Sequence, residues 1–176
     1  MDSVEVSTLV YLPPEEVYEF LVDFPRYADY SEHLEKVRRR GDGSPGTEYD
    51  LTFSWWKLSY TARSRVTDVD PPNRIDWTIT KDIDAGGAWI VEHVPEEAPP
   101  GKPDASRVRF AVRFRPESAD PGMIDLPAFV SLGWVIDKVR PKIQSEAEQI
   151  VRRIVADLEG EERPVEIVVH ERPSSI

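Results

Sequence analysis

The stretch LPAFVSLGWVIDKVRPKIQSEAEQIVRRIVADLE, residues 126–159, decides the fold. Apolar residues recur there at Leu132, Ile136, Val139, Ile143, Ala147, Ile150, Ile154 and Leu158. Steps of three and four place them on one face of an α-helix. Asp137, Lys138, Arg140, Lys142, Glu146, Glu148, Arg152, Arg153 and Asp157 fall between them and read as the wet face. Gly160 follows the last periodic residue and reads as the stop. A helix of roughly 30 residues is about 45 Å long and must lie across something broad. Pro141, in its middle, removes one backbone hydrogen bond, which predicts a bend there.

The rest of the chain supplies that broad surface. Ser3–Tyr11 alternates as a strand. Pro13-Pro14-Glu15-Glu16 opens a helix with proline and acids in its first turn, and Val17, Phe20, Leu21 and Phe24 form its buried stripe. Pro25 is expected to end it, and residues 26–30 read as a second short helical turn. Six strand signals follow, at 33–40, 49–55, 58–69, 75–79, 86–94 and 107–115, separated by Gly-, Pro- and Asp-rich turns. The clearest is the last, with Val108, Phe110, Val112 and Phe114 on one face and Arg107, Arg109, Arg113 and Arg115 on the other. Residues 165–169 read as one more strand. A half-buried antiparallel sheet must cover its apolar face, and only the terminal helix is large enough to do so. The expected architecture is α+β: a curved antiparallel sheet of about seven strands wrapped around a long C-terminal helix, with two short N-terminal helices. Residues 1–160 read as the domain and 161–176 as an extension.

With 176 residues the chain is long enough to bury roughly 70% of its unfolded surface in one domain. No apolar run approaches the roughly 20 residues that span a bilayer, and Met1-Asp2-Ser3-Val4-Glu5 does not read as a signal peptide, so a cytoplasmic location is expected. The absence of cysteine excludes disulfides and thiolate chemistry. A formal net charge of -11, with 33 acids against 22 Lys and Arg, disfavours nucleic acid as a partner, because binding it depends on neutralising phosphates. The same acid excess, with few lysines, is the pattern of a protein working in concentrated salt, where self-repulsion is screened over a few ångströms.

Catalytic and metal motifs are sparse. There is no Gly-rich phosphate loop and no His-Glu-x-x-His, and His33, His93 and His170 lack ligand spacing. No metal or cofactor is expected. The acid pairs Asp68/Asp70 and Asp82/Asp84 read as solvated. Glu92 and His93 sit mid-strand, so one of them is expected to face inward; Glu92 reads as hydrated at an edge. The arginine row 107, 109, 113 and 115, with Arg63 and Arg65, reads as paired with acids across the sheet, or else as a face for a protein partner.

Three stretches carry a family resemblance: LPPEEVYEFLVD (12–23) continuing to YADY (27–30), RVTDVDPPNRI (65–75), and GAWI (87–90) followed by VRFAVRF (108–114). On these residues the chain resembles the START-like superfamily of polyketide cyclases/dehydrases and lipid-transport domains, nearest the coenzyme-Q-binding proteins. The resemblance implies a helix-grip fold with an apolar cavity between sheet and helix, and therefore a small hydrophobic ligand such as a lipid, an isoprenoid quinone or a polyketide-like molecule. Expected wall positions are Tyr49, Phe53, Tyr60, Trp77, Phe110, Val112 and Trp134, with Ser64 and Tyr60 supplying orienting hydrogen bonds. A cyclase/dehydrase enzyme is the alternative, with Glu92, His93 and Tyr60 as the candidate acids or bases. A regulator acting on ribosomes or another protein through the arginine face is a third reading.

Overall fold

The computed structural model describes residues 1–120, 122, 126 and 128–172. Among these described residues, two α-helices and eight strands follow in the order β1 (Asp2–Val10), α1 (Pro14–Val22), β2 (Leu34–Arg40), β3 (Glu48–Trp55), β4 (Leu58–Asp70), β5 (Arg74–Ile79), β6 (Ala85–His93), β7 (Ser106–Phe114), α2 (Leu132–Glu159) and β8 (Val168–Glu171). A 3-10 helix, Phe24–Asp29, follows α1. All eight strands join one antiparallel sheet in the order β2-β3-β4-β5-β6-β7-β1-β8. The protein is an α+β helix-grip structure, with the sheet curved around its C-terminal helix. The tail adds an eighth strand to the seven expected. It pairs over 168–171 rather than 165–169, antiparallel to β1 with a shift of register between Glu5 and Val6.

Alternation along the strands decides which residues turn toward α2. The register aligns Trp77 with Gly87, Gly87 with Val112 and Val112 with Val4 across four strands, and aligns Phe53 with Tyr60 on β3 and β4. These positions form the concave face. On β6, Ala85, Gly87, Trp89 and Val91 share that face, and Glu92 lies on the other. The convex face carries charge. Arg109 reaches Glu5 at 3.0 Å and Glu92 at 2.9 Å, Arg63 and Arg40 converge on Asp50 at 3.0 and 2.9 Å, and Arg107 pairs with Glu97. Burial disfavours the Asp50 carboxylate, but hydrogen bonds from Arg63 and the charge of Arg40 outweigh it and hold its pKa below the ordinary value.

Helix α2 starts at Ser131, whose hydroxyl accepts from the Trp134 N–H at 3.1 Å, and stops at Gly160 in the left-handed region at φ 81°. It runs as one helix through Pro141. Its second half closes one end of the concave face. Val155 is buried in a core with Val10, Val17, Phe20, Leu21, Phe24, Tyr49, Val66, Ile75, Val91 and Val108, and Val151, Ile154 and Leu158 pack against that core. Burying a valine of this kind contributes about 1.5–3 kcal/mol.

The expected helix stripe needs one correction. Ala147 is exposed, and the buried arc instead takes in Val155. Beside that arc, Arg153 donates to the Tyr30 carbonyl at 3.1 Å and the Tyr30 hydroxyl donates to Asp157. The side chains of Leu132, Ile136, Val139 and Ile143 lie outside the described residues. Helix α1 ends at Val22, three residues before Pro25, because Asp23 leaves helical geometry and its N–H caps Phe20.

Candidate ligand cavity

The concave face is not packed evenly. At the α1 end it is sealed: Tyr49 is 1% exposed and stacks on Phe24 at 4.4 Å between ring centroids, and its register partner Ser64 is buried too. Toward the β3–β4 hairpin the same face opens. Phe53 is 41% exposed, and Tyr60, Trp77, Phe110 and Val112 are only half-buried although they lie on the concave face. A chain of rings joins the two ends: Tyr27 meets Trp89 at 6.3 Å, Trp89 meets Phe110 at 4.5 Å, and Phe110 stacks on Trp77 at 5.9 Å.

The first half of α2 stands over the open end. Val135 is buried, while Trp134, 41% exposed, meets Trp56 of the β3–β4 turn at 5.7 Å. The Lys142 ammonium lies 5.2 Å from the Trp55 ring centroid. Trp56, Phe129, Val130, Ser131 and Trp134 line a cleft of about 430 Å³ here. A second cleft, about 410 Å³, lies at the far edge, where Met1, Ser3, Val4 and Glu5 meet Ala111, Val112, Arg113 and Glu171.

Of the eight residues expected to line a cavity, Trp134 lines the cleft at the β3–β4 turn, Phe53 and Tyr60 are register partners on the strands beside it, Trp77 and Phe110 stack on each other farther along the sheet, and Val112 lines the far-edge cleft. Tyr49 and Ser64 sit in the sealed end. The residues offered for acid–base chemistry separate. Glu92 is bound to Arg109 on the convex face, and His93 stands exposed at the strand end, bound to Asp104. Tyr60 alone stays at the open end, and its hydroxyl donates to Asp82 at 2.9 Å. Burial, then the hydrogen bond to Asp82 and its charge, push the Tyr60 phenol up to about 12, so it remains protonated at neutral pH. Asp82 is thus no solvated acid. It adopts the left-handed region at φ 70°, which aspartate tolerates, and its carbonyl accepts from Asp120 N at 2.7 Å. Among the described residues no group of three or more His, Cys, Asp or Glu is placed to hold a metal ion.

Sequence reading also missed the role of Gly87. A β-carbon there would stand 2.8 Å from Trp77 Cζ2 and 2.2 Å from the Ala111 carbonyl oxygen. Only a glycine lets the Trp77 ring lie over β6. Gly87→Ala is expected to cost about 3 kcal/mol through overpacking, read as a lower midpoint in urea, with a change in tryptophan emission as Trp77 is displaced.

Residues 1–159 match the family described as polyketide cyclase / dehydrase and lipid transport, and the chain belongs to that family. No protein of curated function matches it. Solved structures share the fold at low identity. The Zhui aromatase/cyclase from a Streptomyces species is 16% identical with a TM-score of 0.62, covering 89% of this chain and 93% of its own. A START superfamily protein from Mycobacterium smegmatis is 14% identical with a TM-score of 0.58, covering 90% and 99%. A Thermus thermophilus protein is 16% identical with a TM-score of 0.57, covering 90% and 97%.

Proposed function

We propose that the protein binds a small hydrophobic molecule at the open end of its concave face, as a carrier or presenter rather than a catalyst. The observation that carries this reading is the burial gradient along one continuous apolar surface. Phe53, Trp77, Phe110 and Val112 lie on the concave face yet remain accessible, and Trp134 of α2 lines an open cleft at its end. Accessible inward-facing aromatics with few polar groups are how apolar ligand sites are built. Membership in a family described by lipid transport supports the same class of ligand. Lipids, isoprenoid quinones of the coenzyme Q type and polyketide-like molecules all fit this description. A cyclase/dehydrase role is less well supported, because Glu92 and His93 lie away from the cavity and leave Tyr60 without a second acid or base. The arginine face is also a weaker lead, since Arg63, Arg107, Arg109 and Arg115 already pair with acids.

The test is native mass spectrometry of the purified protein, followed by titration of the delipidated protein with a ubiquinone analogue and a fatty alcohol. Quenched tryptophan emission and a melting temperature that rises with the logarithm of ligand concentration are expected. Flat responses to both would reject the reading.

We also propose that the acid excess is an adaptation to salt. Melting temperature is then expected to rise from low to molar potassium chloride, as screening removes repulsion within a chain of net charge -11. A flat or falling curve would reject it.

A further inference from the structure

The β3–β4 turn carries residues that its geometry does not favour. Trp55 pairs with Leu58, so the connection is Trp56 and Lys57 alone. Trp56 stands at φ 54°, in the left-handed region, where a two-residue hairpin turn favours glycine and a bulky side chain is an outlier. Its ring is 53% exposed, so burial does not offset that strain. Around the same cleft, Trp134 meets Trp56 at 5.7 Å, and Phe129 is 80% exposed. Large apolar rings gathered in solvent around one cleft mark a contact surface.

The charge beside these rings is the reverse of the chain's. Against a net charge of -11, residues 53–60 hold Lys57 and no acid, and residues 128–145 hold Lys138, Arg140 and Lys142 against the single acid Asp137. Lys57, Lys138 and Lys142 are all exposed. Lys138 follows Trp134 by four residues on α2, which sets it on the same side of the helix. Where the described ion pairs involve lysine, they join Lys81 to Asp82 and Lys102 to Glu161. Lys57 and Lys142 lie instead by ring faces, 5.5 Å from the Trp56 centroid and 5.2 Å from that of Trp55.

We propose that the Trp56, Phe129 and Trp134 patch, rimmed by Lys57, Lys138 and Lys142, docks the protein on an anionic lipid bilayer. Rings of this kind settle at the boundary between headgroups and acyl chains, and lysine stems reach from there to the phosphates. The acids elsewhere on the chain do not forbid the contact, because physiological salt screens charges beyond about 8 Å. A second copy of the chain fits less well, since a two-fold contact through the patch would set its lysines against the same lysines. The proposal rests on the cavity reading for its purpose alone: the patch stands at the open end of the concave face, where an apolar ligand would pass to and from the bilayer.

The test is co-sedimentation of the full chain, with no ligand added, with vesicles of phosphatidylcholine alone and of phosphatidylcholine with roughly one third phosphatidylglycerol. Wild-type protein is expected to prefer the anionic vesicles by about fivefold for each lysine that reaches the surface. Lys57→Gln with Lys142→Gln should cut that preference by about twentyfold. Trp56→Gly supplies the residue the turn favours, so its urea midpoint should match or exceed that of wild type while vesicle binding falls about tenfold. Phe129→Ser should lower binding by a similar factor with its midpoint unchanged. Equal wild-type binding to both vesicles, binding to neither, or undiminished binding in both ring variants overturns the proposal. So does a wild-type dimer, seen by sedimentation equilibrium, that Trp56→Gly or Phe129→Ser dissociates, which makes the patch a subunit contact. Protein that binds the ubiquinone analogue but ignores vesicles loses only the docking surface. Protein that binds anionic vesicles but no analogue keeps the docking surface and loses the cavity.

Discussion

Arg163→Met is expected to lower the melting temperature by about 10 °C. The reason is what it would leave behind. The Glu159 side chain is 1% exposed at the end of α2. Arg163 donates to both its carboxylate oxygens at 2.8 and 2.9 Å, and the Tyr11 backbone N–H donates to one of them at 2.7 Å. The same guanidinium donates to the carbonyls of Leu9 and Pro164 and lies 3.8 Å over the Tyr11 ring. One cluster thus ties the last turn of α2, the exit of β1 and the start of the tail.

Removing the cation leaves a buried carboxylate with one backbone donor, a change that costs about 3–5 kcal/mol when a partner is lost from a buried pair. Replacing both charges is milder, because the desolvated anion goes as well. Arg163→Met with Glu159→Leu should therefore be less destabilised than the sum of the two single changes. Urea denaturation of the four proteins gives the coupling directly. Additive effects would mean that the pair contributes nothing beyond its separate packing.

That cluster marks where sequence reading stops. The spacing Glu159 to Arg163 is visible in the chain, but Gly160 ends the helix between them, so no helical pairing rule applies. Their meeting depends on the tail folding back past Tyr11, a tertiary event. What periodicity carries was legible. Strand alternation put Phe53, Trp77, Phe110 and Val112 on one face, because a period of two leaves no freedom once one side is apolar. The three-and-four spacing found α2, and Gly160 fixed its end. The degree of burial was not legible. Tyr49 and Phe53 are two residues apart on one strand and one face, yet one is sealed by Phe24 and the other opens to solvent. Only the placement of the Phe24–Asp29 helix at one end of the sheet separates them. Asp82 and Gly87 carried no signal for a related reason. An aspartate in an acidic loop and a glycine in a strand become specific only when Tyr60 and Trp77 from other strands arrive beside them.

Val112→Trp is expected to weaken binding of an apolar ligand by about a hundredfold while the protein remains folded. Val112 is half-buried on the concave face of β7, between Val4 of β1 and Gly87 of β6. Its register neighbours Val4 and Gly87 are small, and the nearest large ring is Trp77, which lies over Gly87; because Val112 is half-buried, an indole there is expected to turn into accessible space beside that ring. It is also remote from the sealed core, whose members on β7 and α2 are Val108 and Val155. A ligand in the same space would have to displace the new ring or be displaced by it. Overpacking by a group of that size costs about 3 kcal/mol, equivalent to about a hundredfold in affinity. The free protein escapes most of that cost, because the indole occupies accessible volume instead of crowding filled volume. Titration of Val112→Trp with the analogue that wild type binds, alongside urea denaturation of the empty proteins, separates the two cases. Lost affinity with a midpoint close to wild type is the expected result. A midpoint that falls by the full overpacking cost while affinity is unchanged would mean that the face beneath α2 is already filled, and that the ligand sits elsewhere.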